Sequence, residues 1–174
     1  MNYLYHIKPK NMKGNSLIPL NMLKKIHPEI YKNEIRKYEG RKSITKRIIP
    51  KLNCYWNDVI HLTAVHPRKL KSALKKAGSK KGKMEWIKIN PSNLDSSKII
   101  IYLDKYTNSK NINKKDIIKF SPNVLGKYNK IPTATLKYYK KSVKELKKPL
   151  LFYKVPHILY KGKLNIKNLE ILEA

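Results

Sequence analysis

The sequence predicts an α+β protein in which a mixed or antiparallel sheet of short strands packs with about three amphipathic helices. Three observations carry this. An aromatic, β-favouring run opens the chain. Three internal segments, each headed by proline, repeat apolar residues at three- and four-residue spacing. The final quarter consists of short apolar runs separated by turn residues. Tyr3, Leu4, Tyr5, His6 and Ile7 read as the first strand, with Tyr5 and Ile7 on one face and Leu4 and His6 on the other. Asn21 to Ile26 has the composition to begin a helix, but Pro28 interrupts it. A helix from Pro28 to Tyr38 then collects Ile30, Tyr31, Ile35 and Tyr38 on one side and stops at Gly40.

Pro67 and Gly78 bracket a second helix, with Leu70, Ala73, Leu74 and Ala77 inward. A third follows Pro132, with Thr133 at its start and Leu136, Tyr139, Val143 and Leu146 on its apolar stripe. Met84 to Ile89 and Lys98 to Asp104 read as strands on either side of a turn at Asn90 to Asn93. Leu150 to Val155 reads as a core strand. His157 to Tyr160 and Leu164 to Leu172 are further strands, joined by a tight turn at Lys161 and Gly162.

The chain has 174 residues, which suits a single domain spanning 1–174, and 41% hydrophobic residues supply a core. Gly78 to Gly82 is the expected flexible point, a basic segment around 78–83. No apolar run approaches 18 residues, and the opening MNYLYHIKPK lacks a signal peptide's apolar stretch. The single cysteine, Cys54, excludes an internal disulfide framework and a cysteine-rich zinc site. The expectation is a cytoplasmic protein with no membrane partner and no metal.

Net charge is +29, from 40 basic and 11 acidic residues, which makes polyanions the default partners. Only four of the basic residues are arginine (Arg36, Arg41, Arg47, Arg68). Lysine suits phosphate contact better than base reading, which uses the guanidinium fork. Ile, Asn, Lys and Tyr are all abundant, so AT-rich coding explains part of the excess. The densest basic stretch runs from Arg68 to Lys83, with Lys69, Lys71, Lys75, Lys76, Lys80 and Lys81 between, and no acid. It is either a nucleic-acid contact or a solvated face. An acidic protein partner is the other expectation that follows from the charge.

Histidines and carboxylates are scarce enough for position to matter. His27 and His66 each precede a proline at a helix start and read as cap neighbours. His6 is either a sheet-margin histidine or a ligand-binding one. The most unusual segment is Pro50 to Pro67, where Asn53, Tyr55, Trp56, Asn57, Asp58, His61 and His66 stand in an otherwise apolar run. So many hydrogen-bonding groups beside a core suggest a site. Asp58 and His61 would share a face on a helix and oppose one another on a strand. Coupled, they would orient an imidazole; uncoupled, Asp58 is a local cap. His157, after Pro156 in an apolar stretch, is a third candidate. HExxH, DxDxDG, GxGxxG, GxxxxGK[ST] and GxSxG patterns are all missing.

The opening strand LYHI, followed by the basic and aromatic stretch GRKSITKRIIPKLNCYWNDVIHLTAVHPRKL, resembles ADP-ribosyltransferase-like folds over roughly residues 3–70. The nearest likeness is to DNA-modifying ADP-ribosyltransferase toxins of the DarT kind and to RNA 2′-phosphotransferases. The resemblance implies that His6 on the first strand holds the ribose of NAD, which is consumed as substrate. It also implies that the Trp56–His61 segment lines the pocket. Catalytic roles then fall to His6, Asp58, His61 and a late-strand glutamate, for which Glu170 has the most strand-like context. Tyr5, Arg41, Trp56 and Asn57 become NAD contacts, and Arg68 to Lys83 the contact with a nucleic-acid acceptor. Two other readings stand beside it. One is a metal-independent ribonuclease toxin using His61, His157 and Asp58 as acid and base. The other is a non-catalytic DNA- or RNA-binding protein.

Overall fold

The computed structural model describes residues 2–104 and 111–174. It is an α+β fold whose strands pair antiparallel throughout. One sheet has three strands: β1 (Leu4–Ile7), β6 (Glu85–Ile89) and β11 (Ile171–Glu173), with β6 in the middle. The other has four, in the order β5 (Val59–Leu62), β9 (His157–Lys161), β7 (Ile99–Tyr102), β8 (Ile117–Lys119). Two short pairs complete the strands: β2 (Ser16–Leu17) with β10 (Leu164–Asn165), and β3 (Ile48–Ile49) with β4 (Cys54–Tyr55). The α-helices are α1 (Leu20–Ile26), α2 (Pro28–Glu34), α3 (Pro67–Lys76) and α4 (Thr133–Lys144).

Strand alternation builds the layers. Leu4, Ile87 and Ile89 of the small sheet meet Ile60, Leu62, Ile99, Ile101 and Ile158 of the large one in a common core. The opposite face of the small sheet carries Tyr5 and Trp86, packed on Leu70 and Leu74 of α3 and Tyr139 of α4. The opposite face of the large sheet carries Val59, Ile100, Tyr102 and Leu159, covered by α1, Tyr38, Ile49, Leu52 and Trp56. A single bridge, Tyr5 opposite Thr63, ties the edge of one sheet to the other, with N–H···O distances of 2.8 and 3.0 Å. His6 therefore lies where the two sheets meet.

The proline-headed helices form, but Leu146 does not join the stripe of the last one: α4 ends at Lys144, and Leu146, at φ +54°, is 96% exposed. Gly78, at φ +88°, ends the turn after α3 in the left-handed conformation that glycine tolerates. α2 passes into a 3-10 turn at Ile35–Tyr38. Leu20–Ile26 is a helix of its own, with Pro28 opening the next rather than ending the first.

Three expected strand features fail for local reasons. Leu150 to Val155 is a run of turns, not a strand, because α4 takes its backbone groups. Tyr139 Oη donates to the Leu151 carbonyl, Thr135 Oγ1 donates to the Tyr153 carbonyl at 2.8 Å, and Tyr138 Oη accepts from Leu150 N–H at 3.1 Å. Leu164 to Leu172 is broken after Asn165, whose side-chain oxygen accepts from Lys167 N–H at 2.9 Å in an Asx turn. Its two halves join different sheets. Likewise the chain turns at Gly162, but the strands on either side do not pair with each other.

Tyr139 is fully buried, so Tyr139→Phe leaves the Leu151 carbonyl without its donor. A loss of about 1–3 kcal/mol is expected, read as a lower urea midpoint at unchanged m-value. A midpoint within error of the parent's would show that the bond contributes nothing net.

Candidate functional site

A cleft of about 430 Å³ opens where the first strand, the large sheet's outer face, α2 with its 3-10 extension and the 150–153 turns meet. His6 enters from β1, His61 from β5 and His157 from β9, with Trp56 between them. The Trp56 ring centroid lies 4.5 Å from that of His61 and 5.6 Å from that of His157, and the two imidazole centroids are 5.9 Å apart. Register explains the grouping. His157 is paired with Tyr102 on β7, and their rings stack at 6.3 Å. His61 stands two residues from Val59 on the same outer face. His6 reaches the group from the neighbouring sheet: its Nδ1–H donates to the His61 carbonyl at 2.8 Å.

Each hydrogen bond fixes a tautomer. A ring nitrogen facing a carbonyl must carry the proton, so neutral His6 holds its proton on Nδ1 and presents Nε2 as an acceptor. His61 donates through Nε2 to the Trp56 carbonyl at 3.0 Å, which leaves Nδ1 as its acceptor. Burial holds all three imidazoles neutral. His6 is lowered to about 4, His61 well below its ordinary value with help from His157, and His157 is lowered by burial against the partly offsetting charge of Asp104. Asp104 Oδ2 stands 3.9 Å from His157 Nε2 and accepts from Lys154 N–H at 3.3 Å. Lys154 has φ +56°, so the turn that brings this donor round is a left-handed one. Burial pushes the Tyr102 hydroxyl up to about 12.

The mouth is cationic. Lys10, Lys37, Arg41 and Arg47 line it, with Glu34 and Asp104 as the cleft's carboxylates. Arg41 is positioned by its own element: its guanidinium donates to the Lys37 carbonyl at 2.9 Å and lies 5.7 Å from the Tyr38 ring. Phe152 and Tyr153, held by α4, close the far wall. The three imidazoles do not converge on a point, and no group of three His, Cys, Asp or Glu side chains among the described residues is arranged to hold a metal ion.

Of the residues singled out from sequence, His6, His61, Trp56 and Arg41 meet in this cleft. Asp58 does not: it accepts from Asn21 Nδ2 at 2.8 Å and from Tyr55 N–H at 2.7 Å, capping the 3-10 turn Trp56–Asp58. It therefore orients a turn and not His61. Tyr5 faces α3 and α4, the opposite side of its strand from His6, as alternation requires. Glu170 is exposed on the small sheet's edge and paired with Lys88 at 2.7 Å. Asn57 is buried behind the cleft, lining a separate cavity of about 80 Å³ with His6 and His61, and its side-chain oxygen has no hydrogen-bond partner there.

Arg68, Lys69 and Lys76 line one groove. Lys71, Lys75, Lys80, Lys81 and Lys83 do not, and Lys83 pairs with Glu173 at 2.6 Å. Sequence reasoning does not single out Glu34 or Lys37; Tyr38 and Asp104 stand in an expected helix and an expected strand with no functional role, while His157, a candidate on sequence, lines the cleft together with Arg47.

No protein-family model matches this chain, and the searches of curated proteins and of solved structures return no match either. Among the described residues, no helix is long and apolar enough to cross a membrane.

Proposed function

We propose that the cleft binds NAD and that the protein transfers ADP-ribose from it to a nucleic-acid acceptor in the cytoplasm. The observation that carries this reading is His6. Its Nδ1 is tied to the His61 carbonyl, so the cleft receives a neutral Nε2 acceptor suited to a ribose hydroxyl, beside Trp56 and Arg41. The residues present fit the group. The volume lies in the range of small-molecule sites. Trp56 and Tyr38 offer faces for a heteroaromatic ring, and Lys37, Arg41 and Arg47 stand where a diphosphate would need cations.

NAD supplies the chemistry: the bond from ribose C1′ to the nicotinamide nitrogen breaks, its electron pair leaves with nicotinamide, and an acceptor nitrogen or oxygen bonds C1′ and loses a proton. The chain's own groups would serve these changes. Of the two cleft carboxylates, Glu34 and Asp104, we assign to Asp104, in place of Glu170, the task of facing positive charge developing there. The imidazoles of His61 and His157, neutral at pH 7, are the available proton acceptors. Phe152 and Tyr153 shield the site from water on the α4 side.

Titration calorimetry with NAD is expected to show binding, and His6→Asn to weaken it about tenfold, the effect of one lost hydrogen bond of about 1.4 kcal/mol. Mass spectrometry of an oligonucleotide after incubation with NAD would then show a gain of ADP-ribose. Absence of heat and of a thermal shift at millimolar NAD would overturn the reading. A second reading draws on the 5.9 Å spacing of His61 and His157 in a cationic cleft. RNA cleavage in EDTA without NAD, abolished by His61→Ala, would establish a metal-independent ribonuclease instead.

A further inference from the structure

We infer that the groove between α3 and α4 is a track for the phosphate backbone of nucleic acid, and that its cations come from both walls: Arg68, Lys69 and Lys76 out of the lysine-dense segment 68–83, together with Lys130 and Lys140. The groove encloses about 660 Å³. Arg68, Lys69 and Lys76 form one wall. Lys130, just ahead of α4, and Lys140 within it form the other. No carboxylate lines it.

Elsewhere on this protein carboxylates neutralise a minority of the cations, as 11 acidic residues against 40 basic ones require. Lys8 pairs with Glu85, Lys83 with Glu173, Lys88 with Glu170, and Lys141 and Lys147 with Glu145. In the groove, Lys69 Nζ donates to the Asn129 carbonyl at 3.3 Å, which links the two walls. Arg68, Lys76, Lys130 and Lys140 have no ion-pair partner among the described residues. Four such charges facing one another across a groove repel, and a polyanion relieves that repulsion while releasing its own counterions. A compact acidic side chain would satisfy one wall at a time, whereas a phosphate chain presents charge continuously to both. The rest of the lining is Ser72, Ala73, Ala77, Ile131 and Leu136. The groove offers no aromatic ring for base stacking and only one guanidinium, so sequence-independent contact is the expected mode.

This inference rests on the NAD reading only for what is done to the bound strand; binding itself does not. The test is fluorescence anisotropy with labelled single-stranded and duplex 20-mers, without NAD, over a salt series. The variant Lys76→Ala/Lys130→Ala/Lys140→Ala is compared with Lys25→Ala/Lys46→Ala/Lys167→Ala, which removes the same charge from exposed sites outside the groove. The groove variant is expected to bind at least tenfold more weakly, with the log–log salt slope shallower by about 2 on a single strand. The control variant is expected to retain nearly the parent slope. Equal losses in both would show that net charge alone binds and would overturn the assignment. So would displacement of the oligonucleotide by poly-glutamate at equal charge, which would assign the groove to an acidic protein. Failure here with NAD binding intact leaves the cleft reading standing, and the reverse result leaves the groove.

Discussion

Trp56→Ala is expected to lower stability by about 3–5 kcal/mol, the range for removing a buried tryptophan from a packed site. The indole is 8% exposed and belongs to the core under the large sheet. It touches Tyr102 and His157 edge-on and His61 at a tilt, so three cleft walls lean on it. Against a total of about 5–15 kcal/mol for an ordinary domain, that loss brings the protein near its unfolding threshold. Ligand measurements therefore belong on Trp56→Phe, which keeps a ring face and most of the volume. A stability loss well below that of the alanine variant is expected for that change, because the volume removed is smaller.

Trp86 supplies the control. It is the chain's other tryptophan, fully buried against α3 and α4 on the far side of the small sheet. Ligand entering the cleft is expected to change the fluorescence of Trp56 most and to reach Trp86 only through Phe152, whose ring meets it edge-on at 6.1 Å, so Trp86→Phe keeps most of the response and Trp56→Phe loses most of it. A response of undiminished size in Trp56→Phe would place the ligand elsewhere.

Much of this arrangement can be read without coordinates, and the limit falls where long-range pairing begins. Alternation along Tyr3 to Ile7 separates His6 from Tyr5, and the structure keeps them on opposite faces. The density of polar groups between Pro50 and Pro67 marks the segment that delivers Trp56 and His61. What composition does not determine is which strands adjoin. His157 reaches the site because β9 runs between β5 and β7, and Asp104 because it follows β7 on that same side. Neither neighbour is implied by spacing, since the residues are roughly fifty to a hundred apart along the chain.

Long-range neighbours also decide the fate of the segment after α4. Leu150 to Val155 has strand composition, but strand propensity measures fit to a neighbouring strand. Here the neighbours are three hydroxyl side chains of α4, which satisfy the backbone one group at a time. Glu170 fails for a related reason. Its strand-like context is real, because β11 begins at the next residue, but β11 adds to the small sheet's outer edge, away from the cleft.

Stability is expected to fall steeply between pH 6.5 and 4 while ligand binding stays level over the upper part of that window. In the folded protein His6 titrates at about 4, and in the unfolded chain at its ordinary 6.5. Between those values the unfolded state binds more protons, so acidification favours unfolding. The contribution is fully present above pH 6.5 and lost progressively towards pH 4. At 1.36 kcal/mol per pKa unit, His6 alone accounts for about 3 kcal/mol. His61 and His157 are displaced in the same direction by the same burial and steepen the slope. The paired carboxylates act lower: Glu145 and Glu173 are held below 4.5 by lysines, and Asp95 is held at about 2 by Ser97 and Lys98. Their stabilisation is lost only as pH drops below the ordinary carboxylate values, so the two causes separate by window.

Urea unfolding at pH 7.5, 6 and 5 checks this directly. His6→Asn retains a donor for the His61 carbonyl but cannot titrate, so its stability is expected to change less across the series than the parent's, whatever its value at pH 7.5. Parallel slopes in parent and variant would show that His6 is not the group responsible. Because the folded imidazole remains neutral down to about pH 4, its Nε2 is still an acceptor at pH 5, and NAD affinity measured on the folded population should be the same at pH 7 and pH 5. An affinity that fell in step with stability would mean that His6 protonates in the native state, and that the hydrogen bond from Nδ1 to the His61 carbonyl does not protect the neutral form.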